Sequence, residues 1–282
     1  MQGFAEDKSS IMYRSTNGLS EVVDFKTAMF GQPPDKGLYM PTRIPVLSQE
    51  VISSMSRMSY PEVAAAVLGR FLENEIPENE LMRMTCDAYN FVVPLQEVYD
   101  EKYLMWQDEG PTLSFKDLGA RMMAQLMQYY VRQSEGSRVT ILTATSGDTG
   151  SAVANAFCGL RGIDCVVLFP KNEITESQRK LITTLGIKAY AVEGTFDSCQ
   201  AMVKRMLVDP DMRYLNPTTA NSIGIPRWLP QTVQYFYAYS RTVREQEDAP
   251  VGSVPCGNLG HLTAGKVAMQ MGLPIQDRKS VV

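Results

Sequence analysis

The rhythm of hydrophobic and polar positions changes near residue 99 of this 282-residue chain. Before that point apolar residues recur at three- and four-residue spacing, the period of a helix with one buried face. Val22, Phe25 and Met29 predict a helix over 22–30, closed by Gly31. The helical pattern then runs from Pro45 to about Glu80. Within it Tyr60-Pro61-Glu62 opens a helix whose apolar face is Val63, Ala66, Val67, Phe71 and Leu72. The acidic segment 73–80, which carries Pro77, reads as a helix connection. Short extended pieces are expected at 12–16, before the turn dipeptide Asn17-Gly18, and at Leu38–Pro41. These residues predict a packed, mainly helical N-terminal unit and offer no readable chemistry.

After Tyr99 strands and helices alternate. A helix over 119–130 carries Met122, Met123, Leu126 and Met127 at helical spacing, which is the pattern of core packing. Strands follow at Val139–Ala144, Cys165–Phe169 and Ile187–Val192. Between and after them come helices at Ala152–Leu160, Thr175–Leu185 and Asp197–Leu207. Such a β-loop-α series predicts an α/β fold with an open, mostly parallel sheet covered by helices.

Composition narrows the class. Apolar residues make up 44% and charged residues 21%, ordinary values for a globular protein, and a net charge of −4 argues against a nucleic-acid or anionic-membrane surface. An anionic ligand therefore has to be held by local donors. The five cysteines form no CxxC pair, which points to reduced thiols and no zinc or other metal site. With no long apolar run and a polar N-terminus, the expectation is a cytoplasmic protein without a membrane span.

Three stretches carry candidate chemistry. The first is Glu109-Gly-Pro-Thr-Leu-Ser-Phe-Lys-Asp117, where Lys116 sits between Phe115 and Leu118 just ahead of a helical run. An apolar setting desolvates an amine and lowers its pKa, as a Schiff-base lysine needs, although most lysines are solvated surface charges. The second is the strand–loop–helix Thr145-Ser-Gly-Asp-Thr-Gly-Ser151. Its glycines and helix-terminal amides suit a carboxylate or phosphate, and a plain capped helix with Asp148 or Thr149 as N-cap is the other reading. The third is Gly257-Asn-Leu-Gly-His-Leu-Thr-Ala-Gly265, again a Gly-rich turn between a strand and a helix expected at Lys266–Met271. Its Gly260-to-Lys266 part approaches the Walker A spacing. Val267, however, stands where a hydroxyl must reach Mg²⁺, so an NTPase is not expected. Asn221, Ser222 and Arg227 enter an apolar helix and either cap it or bind an anion. His261 is the only histidine, and no Gly-x-Ser-x-Gly elbow accompanies it as a hydrolase would require.

Taken together these residues resemble the threonine synthases among the fold-type II pyridoxal-phosphate (PLP) enzymes. The likeness is to the longer subfamily with an extra N-terminal domain. It is carried by Tyr13–Gly18, Asp35–Pro41, Gly110–Asp117, Ala144–Ala152, Asn221–Ile223 with Arg227 and Pro230-Gln231, and Gly257–Gly260. It implies an N-terminal domain over 1–98 and a PLP-binding region over 99–282. That region would divide into a small subdomain near 125–220 and a cofactor domain from 99–124 and 221–282. It implies Lys116 as the catalytic and cofactor-bearing lysine, with Gly257, Asn258, Leu259, Gly260 and His261 on the cofactor phosphate. Ser146, Gly147, Asp148, Thr149 and Gly150 would hold the substrate, together with Asn221, Ser222 and Arg227. The reaction implied is γ-elimination and β-hydration of O-phosphohomoserine to threonine and phosphate, by a monomer or homodimer. A serine/threonine dehydratase-like lyase and a non-catalytic PLP- or metabolite-binding relative are the alternatives.

Two departures accompany the resemblance. His261 stands where an acidic or amide residue is expected, and Gly224-Ile-Pro226 replaces an Asn-x-Ala pattern. The chain stops at 276–282, directly after the phosphate-loop helix, where the family pattern calls for more strands and helices. The expectation is a C-terminally truncated member, poorly stable and inactive by itself.

Overall fold

Short β-strands and capped helices build the N-terminal part of the computed structural model, which describes residues 9–134, 136–145, 147–222, 224–243, 249–255, 257–275 and 278–281. β1 (Tyr13–Ser15) is followed by α1 (Phe25–Phe30), whose N-cap Asp24 accepts a hydrogen bond from the Thr27 N–H at 2.7 Å. β2 (Tyr39–Pro41) then returns antiparallel to β1. Asp35 ties this corner together by accepting from Ser15 Oγ at 2.6 Å and from the Gly37 and Leu19 amides. α2 (Gln49–Ser54) and α3 (Tyr60–Leu72) come next, and α3 opens on a Ser59–Glu62 capping box with Pro61 in its first turn. α4 (Glu78–Ala88) begins directly after Pro77, so the connection is 73–77 and the last three residues of the acidic segment are the first turn of α4.

An element with no clear sequence signal follows. β3 (Leu95–Tyr99) and β4 (Lys102–Met105) form an antiparallel hairpin with Asp100 and Glu101 at φ 45° and 59°. Tight hairpin turns of this hand usually announce themselves through Asn-Gly or Asp-Gly. Here two acidic residues take the left-handed conformation instead.

α5 (Lys116–Gln133) is the central helix, and Met122, Met123, Leu126 and Met127 are fully buried along it. β5 (Val139–Ala144), α6 (Asp148–Phe157), β6 (Ile163–Pro170), α7 (Glu176–Thr183), β7 (Lys188–Val192), α8 (Phe196–Val208) and β8 (Pro217–Thr219) follow in order. The four strands form one parallel sheet in the order β7-β6-β5-β8. Every residue of β5 is buried, as expected of a strand covered on both faces.

α9 (Ile225–Trp228) and α10 (Thr232–Thr242) return the chain to the central helix. β9 (Gly252–Pro255), α11 (Gly260–Gln270) and β10 (Arg278–Val281) end the described chain, with β9 and β10 paired in parallel. α6 and α11 both begin earlier than periodicity predicts, because Gly150 and Gly265 lie inside helices rather than before them. A side chain at 150 would lie 2.3 Å from Thr145 Cγ2, and one at 265 would lie 2.6 Å from the Tyr235 ring. These glycines permit close packing; they do not break the helices.

One apolar core runs from Ile11 to Leu273 and joins α1–α4 to α5, α10 and α11. Polar ties span the same divide. The Leu47 N–H donates to Met271 O at 2.8 Å, Thr218 Oγ1 donates to Phe30 O at 2.6 Å, and Arg241 donates to the carbonyls of Met55, Ser56 and Met58. Among the described residues no helix is long and apolar enough to cross a membrane.

Candidate active site

Lys116 is the first residue of α5, and its position is set by the turn before it. Asp117, fully buried, accepts hydrogen bonds from the Thr112 N–H and Thr112 Oγ1, each at 2.8 Å. A side chain at Gly110 would come within 2.5 Å of that carboxylate, so glycine is required there. Leu113 takes φ 54° to complete the turn, and Ser114 Oγ accepts from the Lys116 N–H at 3.3 Å. The turn aims Lys116 across the face of Phe115, with Nζ 4.6 Å from the ring centroid. Burial lowers the amine's pKa below the usual lysine value; Asp148 opposes that shift and Arg227 adds to it.

Lys116 opens onto a cleft of about 190 Å³. Across from it lies the N-terminus of α11, entered through Leu259 at φ 56°. No side chain caps this helix, so its leading amides are available to a ligand, and the left-handed Leu259 turns the chain into an anion-binding nest. Gly257, Asn258, Leu259, Gly260 and His261 all line the cleft, and a side chain at Gly257 would meet only open space.

Arg227 reaches the same cleft from α9. It is 2% exposed, and Nη1 donates to Ala220 O at 2.5 Å, while Nε has no partner among the described residues. Burial alone pushes its guanidinium down to about 10. Among the described residues no carboxylate lines the cleft. A buried cation beside a helix N-terminus, with no acid to neutralise it, makes the cleft strongly complementary to an anion. Among the described residues the Asn221/Ser222/Arg227 segment makes no cap bond: the N-cap of α9 is Gly224, which has no side chain to cap it.

The loop after β5 contributes less than its sequence promises. Thr145 Oγ1 accepts from the Gly147 and Gly150 amides at 3.0 and 2.9 Å and donates to Gly147 O. Those two amides are therefore turned onto the protein's own hydroxyl. Asp148 Oδ1 accepts from Gln178 Nε2 at 3.1 Å, and Asp148 does not itself line the cleft although its charge reaches Lys116. Thr149 lines the cleft, and Ser146 lies outside the described residues. Ser222 lines it as well, and Asn221 stands just outside.

Three further cleft residues carried no sequence signal as site residues: Phe115, Gly119 and Gln231. Gly119 lies one turn beyond Lys116, and a Cβ there would sit 2.8 Å from Arg227 O. Gln231 donates from Nε2 to Arg227 O at 2.8 Å and holds α9 in place. A glycine near the start of a helix behind a lysine was the only available hint. Lys266, the apparent Walker lysine, is exposed in mid-α11 and does not line the cleft.

A desolvated amine facing an amide-lined anion site fits a ligand that bears both a carbonyl and a phosphate, and the residues present fit PLP on those grounds. Comparison with known proteins agrees. Residues 101–275 match the family model of pyridoxal-phosphate dependent enzymes, and residues 12–89 match that of the threonine synthase N terminus. A threonine synthase of Haemophilus influenzae is 42% identical over 91% of this chain and 60% of its own length. The structure of a PLP-bound threonine synthase from Brucella melitensis superposes with TM-score 0.91 at 38% identity, covering 97% of this chain and 61% of that one. An Escherichia coli threonine synthase gives 0.86 at 36% identity, over 95% and 63%. The chain thus spans about 60% of the length of the curated relatives it matches. By the match over 101–275, together with the site it encloses, the chain belongs to the family of pyridoxal-phosphate dependent enzymes, in the branch that carries the threonine synthase N terminus.

Proposed function

We propose that this protein converts O-phospho-L-homoserine and water to L-threonine and phosphate. The observation that carries this reading is the shared cleft: the Lys116 amine, the uncapped N-terminus of α11 and the buried guanidinium of Arg227 face one volume. Bound there, pyridoxal phosphate supplies an electron sink for the negative charge that develops on the substrate carbons. The residues do the rest. Gly257, Asn258, Leu259, Gly260 and His261 hold the cofactor phosphate against the amides of α11. Lys116 would supply the amine that attaches the cofactor, and its unprotonated Nζ would take up the substrate's α-proton. A lowered pKa suits that role, since the amine must be neutral to accept a proton. Arg227, with Asn221 and Ser222, holds the phosphate that leaves from the γ-carbon. Ser146, Gly147, Asp148, Thr149 and Gly150 would form the loop on the side of the substrate carboxylate, with Thr149 lining the cleft and Thr145 holding the Gly147 and Gly150 amides.

The remaining assignments rest on the same reading. Residues 1–98 form the N-terminal domain, the parallel sheet and its helices belong to a small subdomain near 125–220, and 99–124 with 221–282 form the cofactor domain. The protein works in the cytoplasm as a monomer or homodimer. The test is cofactor capture. Protein mixed with PLP should develop a visible absorbance band, and borohydride should fix the cofactor on the peptide containing Lys116. Lys116→Ala should abolish both, along with phosphate release from O-phosphohomoserine. A band that survives in Lys116→Ala, or fixation on another lysine, would sink the assignment. Release of a 2-oxo acid from serine or threonine, without phosphate release from phosphohomoserine, would assign the protein to the dehydratase-like reading.

A further inference from the structure

The one histidine of this chain occupies an unusual position in the cleft. His261 lies in the first turn of α11, only 8% exposed. Its ring stacks on Phe115 with centroids 5.9 Å apart and an interplanar angle of 18°. On another side Tyr235 meets it edge-on at 5.2 Å and 70°. The Tyr235 hydroxyl donates to the His261 carbonyl at 2.9 Å, and the missing side chain at Gly265 is what lets the tyrosine ring approach. His261 is thereby fixed from two directions. Phe115, by contrast, is a half-buried wall residue at the N-cap of α5, with no side-chain cap bond of its own. On its face stands Lys116 Nζ.

We propose that His261 is a positioning residue for Lys116: its ring stacks on the Phe115 ring, and that contact registers the lysine-bearing start of α5 against the anion-binding start of α11. The chain of contacts is Tyr235 to His261 to Phe115 to the Lys116 amine. Its working part is the flat ring rather than a charge. Nδ1 is buried and has no hydrogen-bond partner among the described residues, so a proton there would gain nothing from them. A charged imidazole would also repel the neighbouring ammonium. An acidic or amide side chain at 261 could not fill the same flat space beside Phe115. The inference rests on Lys116 being the working amine.

The experiment reads the Lys116 amine directly, in protein without cofactor. The rate of labelling by an amine-reactive reagent is followed at Lys116 by peptide mass spectrometry across a pH series, for the wild type, His261→Phe, His261→Asn and Phe115→Leu. His261→Phe keeps a ring in place and should leave the labelling midpoint where it is. His261→Asn and Phe115→Leu should move the midpoint upward, toward an ordinary lysine, and slow labelling at pH 8 by roughly threefold or more. The double variant should shift no further than either single one, because both break the same contact. An unchanged midpoint in His261→Asn, with only a lower melting temperature, would show a purely structural residue and overturn the proposal. So would a shift in His261→Phe equal to that in His261→Asn, since the ring nitrogen would then be the active feature. Should His261→Asn fail to fold, the Phe115→Leu arm decides by the same criterion. Borohydride fixation of PLP on wild-type Lys116 is scored separately, so failure of the lysine assignment is distinguishable from failure of this one.

Discussion

Asp117 shows how a residue beside the chemistry can matter as much as the reacting one. Its buried carboxylate closes the Gly110–Thr112 turn with two bonds, and burial raises its pKa against the pull of those bonds and of Arg121. In Asp117→Asn only one side-chain oxygen remains to accept. The expected loss is about 1–3 kcal/mol, measurable by urea denaturation, together with a larger loss of PLP capture at Lys116. His261 makes a second residue-scale prediction. Burial pushes its pKa down to about 4, against roughly 6.5 in an unfolded chain. The neutral ring is therefore tolerated at no cost above the unfolded value. As pH falls from about 6.5 toward 4 the unfolded state takes up a proton that the native state refuses, and stability is lost, on the order of 3 kcal/mol at most. His261→Phe should flatten the decline of melting temperature over that window, and an equal decline in both proteins would contradict it. From sequence, Lys116 and His261 stood out by type. Arg227 and Asp148 stood out too, but nothing local showed that they come to act on Lys116, or that Tyr235 packs on His261, because these partners are remote in the chain.

At the scale of elements, α5 and α9 cross at Gly119 with almost no space between them. Alanine is the better helix former by about 1 kcal/mol, so propensity alone favours Gly119→Ala. The structure predicts the opposite. A Cβ 2.8 Å from the Arg227 carbonyl must push the two helices apart, at a cost of about 1–3 kcal/mol, and displace Arg227 from the cleft. Thermal unfolding of Gly119→Ala, with and without PLP, checks the sign, and a stabilised variant that still gains stability from the cofactor would refute it. Helix and strand identities from 139 to 208 were legible because buried strands and half-buried helices impose different periods. The β3–β4 hairpin was not legible, since its turn uses Asp100 and Glu101 at positive φ. The starts of α6 and α11 were displaced because glycine reads as a breaker when its actual role is close approach.

Across the whole molecule, the N-terminal helices and the lysine-bearing helix share one core. Arg241 ties α10 to the same N-terminal helices, for its guanidinium donates to carbonyls at the end of α2 and just beyond it. Arg241→Ala should leave those carbonyls without that donor and cost about 2–4 kcal/mol. If the N-terminal part supports the site, limited proteolysis between α2 and α3 should rise and PLP capture should weaken together. Faster proteolysis with unchanged capture would show that α2 and α3 are accessory. The likeness over 12–89 and 101–275 covers both sides of this junction.

The sequence by itself determined the class of fold, the lysine and both Gly-rich turns, because these depend on local period, backbone freedom and residue type. Only the tertiary structure decided which of those features meet. It brought Arg227 to Lys116 and turned the Gly147 and Gly150 amides onto Thr145. It also set His261 against Phe115. The reason is physical: a desolvated cation or a stacked ring owes its properties to neighbours that arrive from distant points in the chain. No local pattern records the distance at which they come to rest.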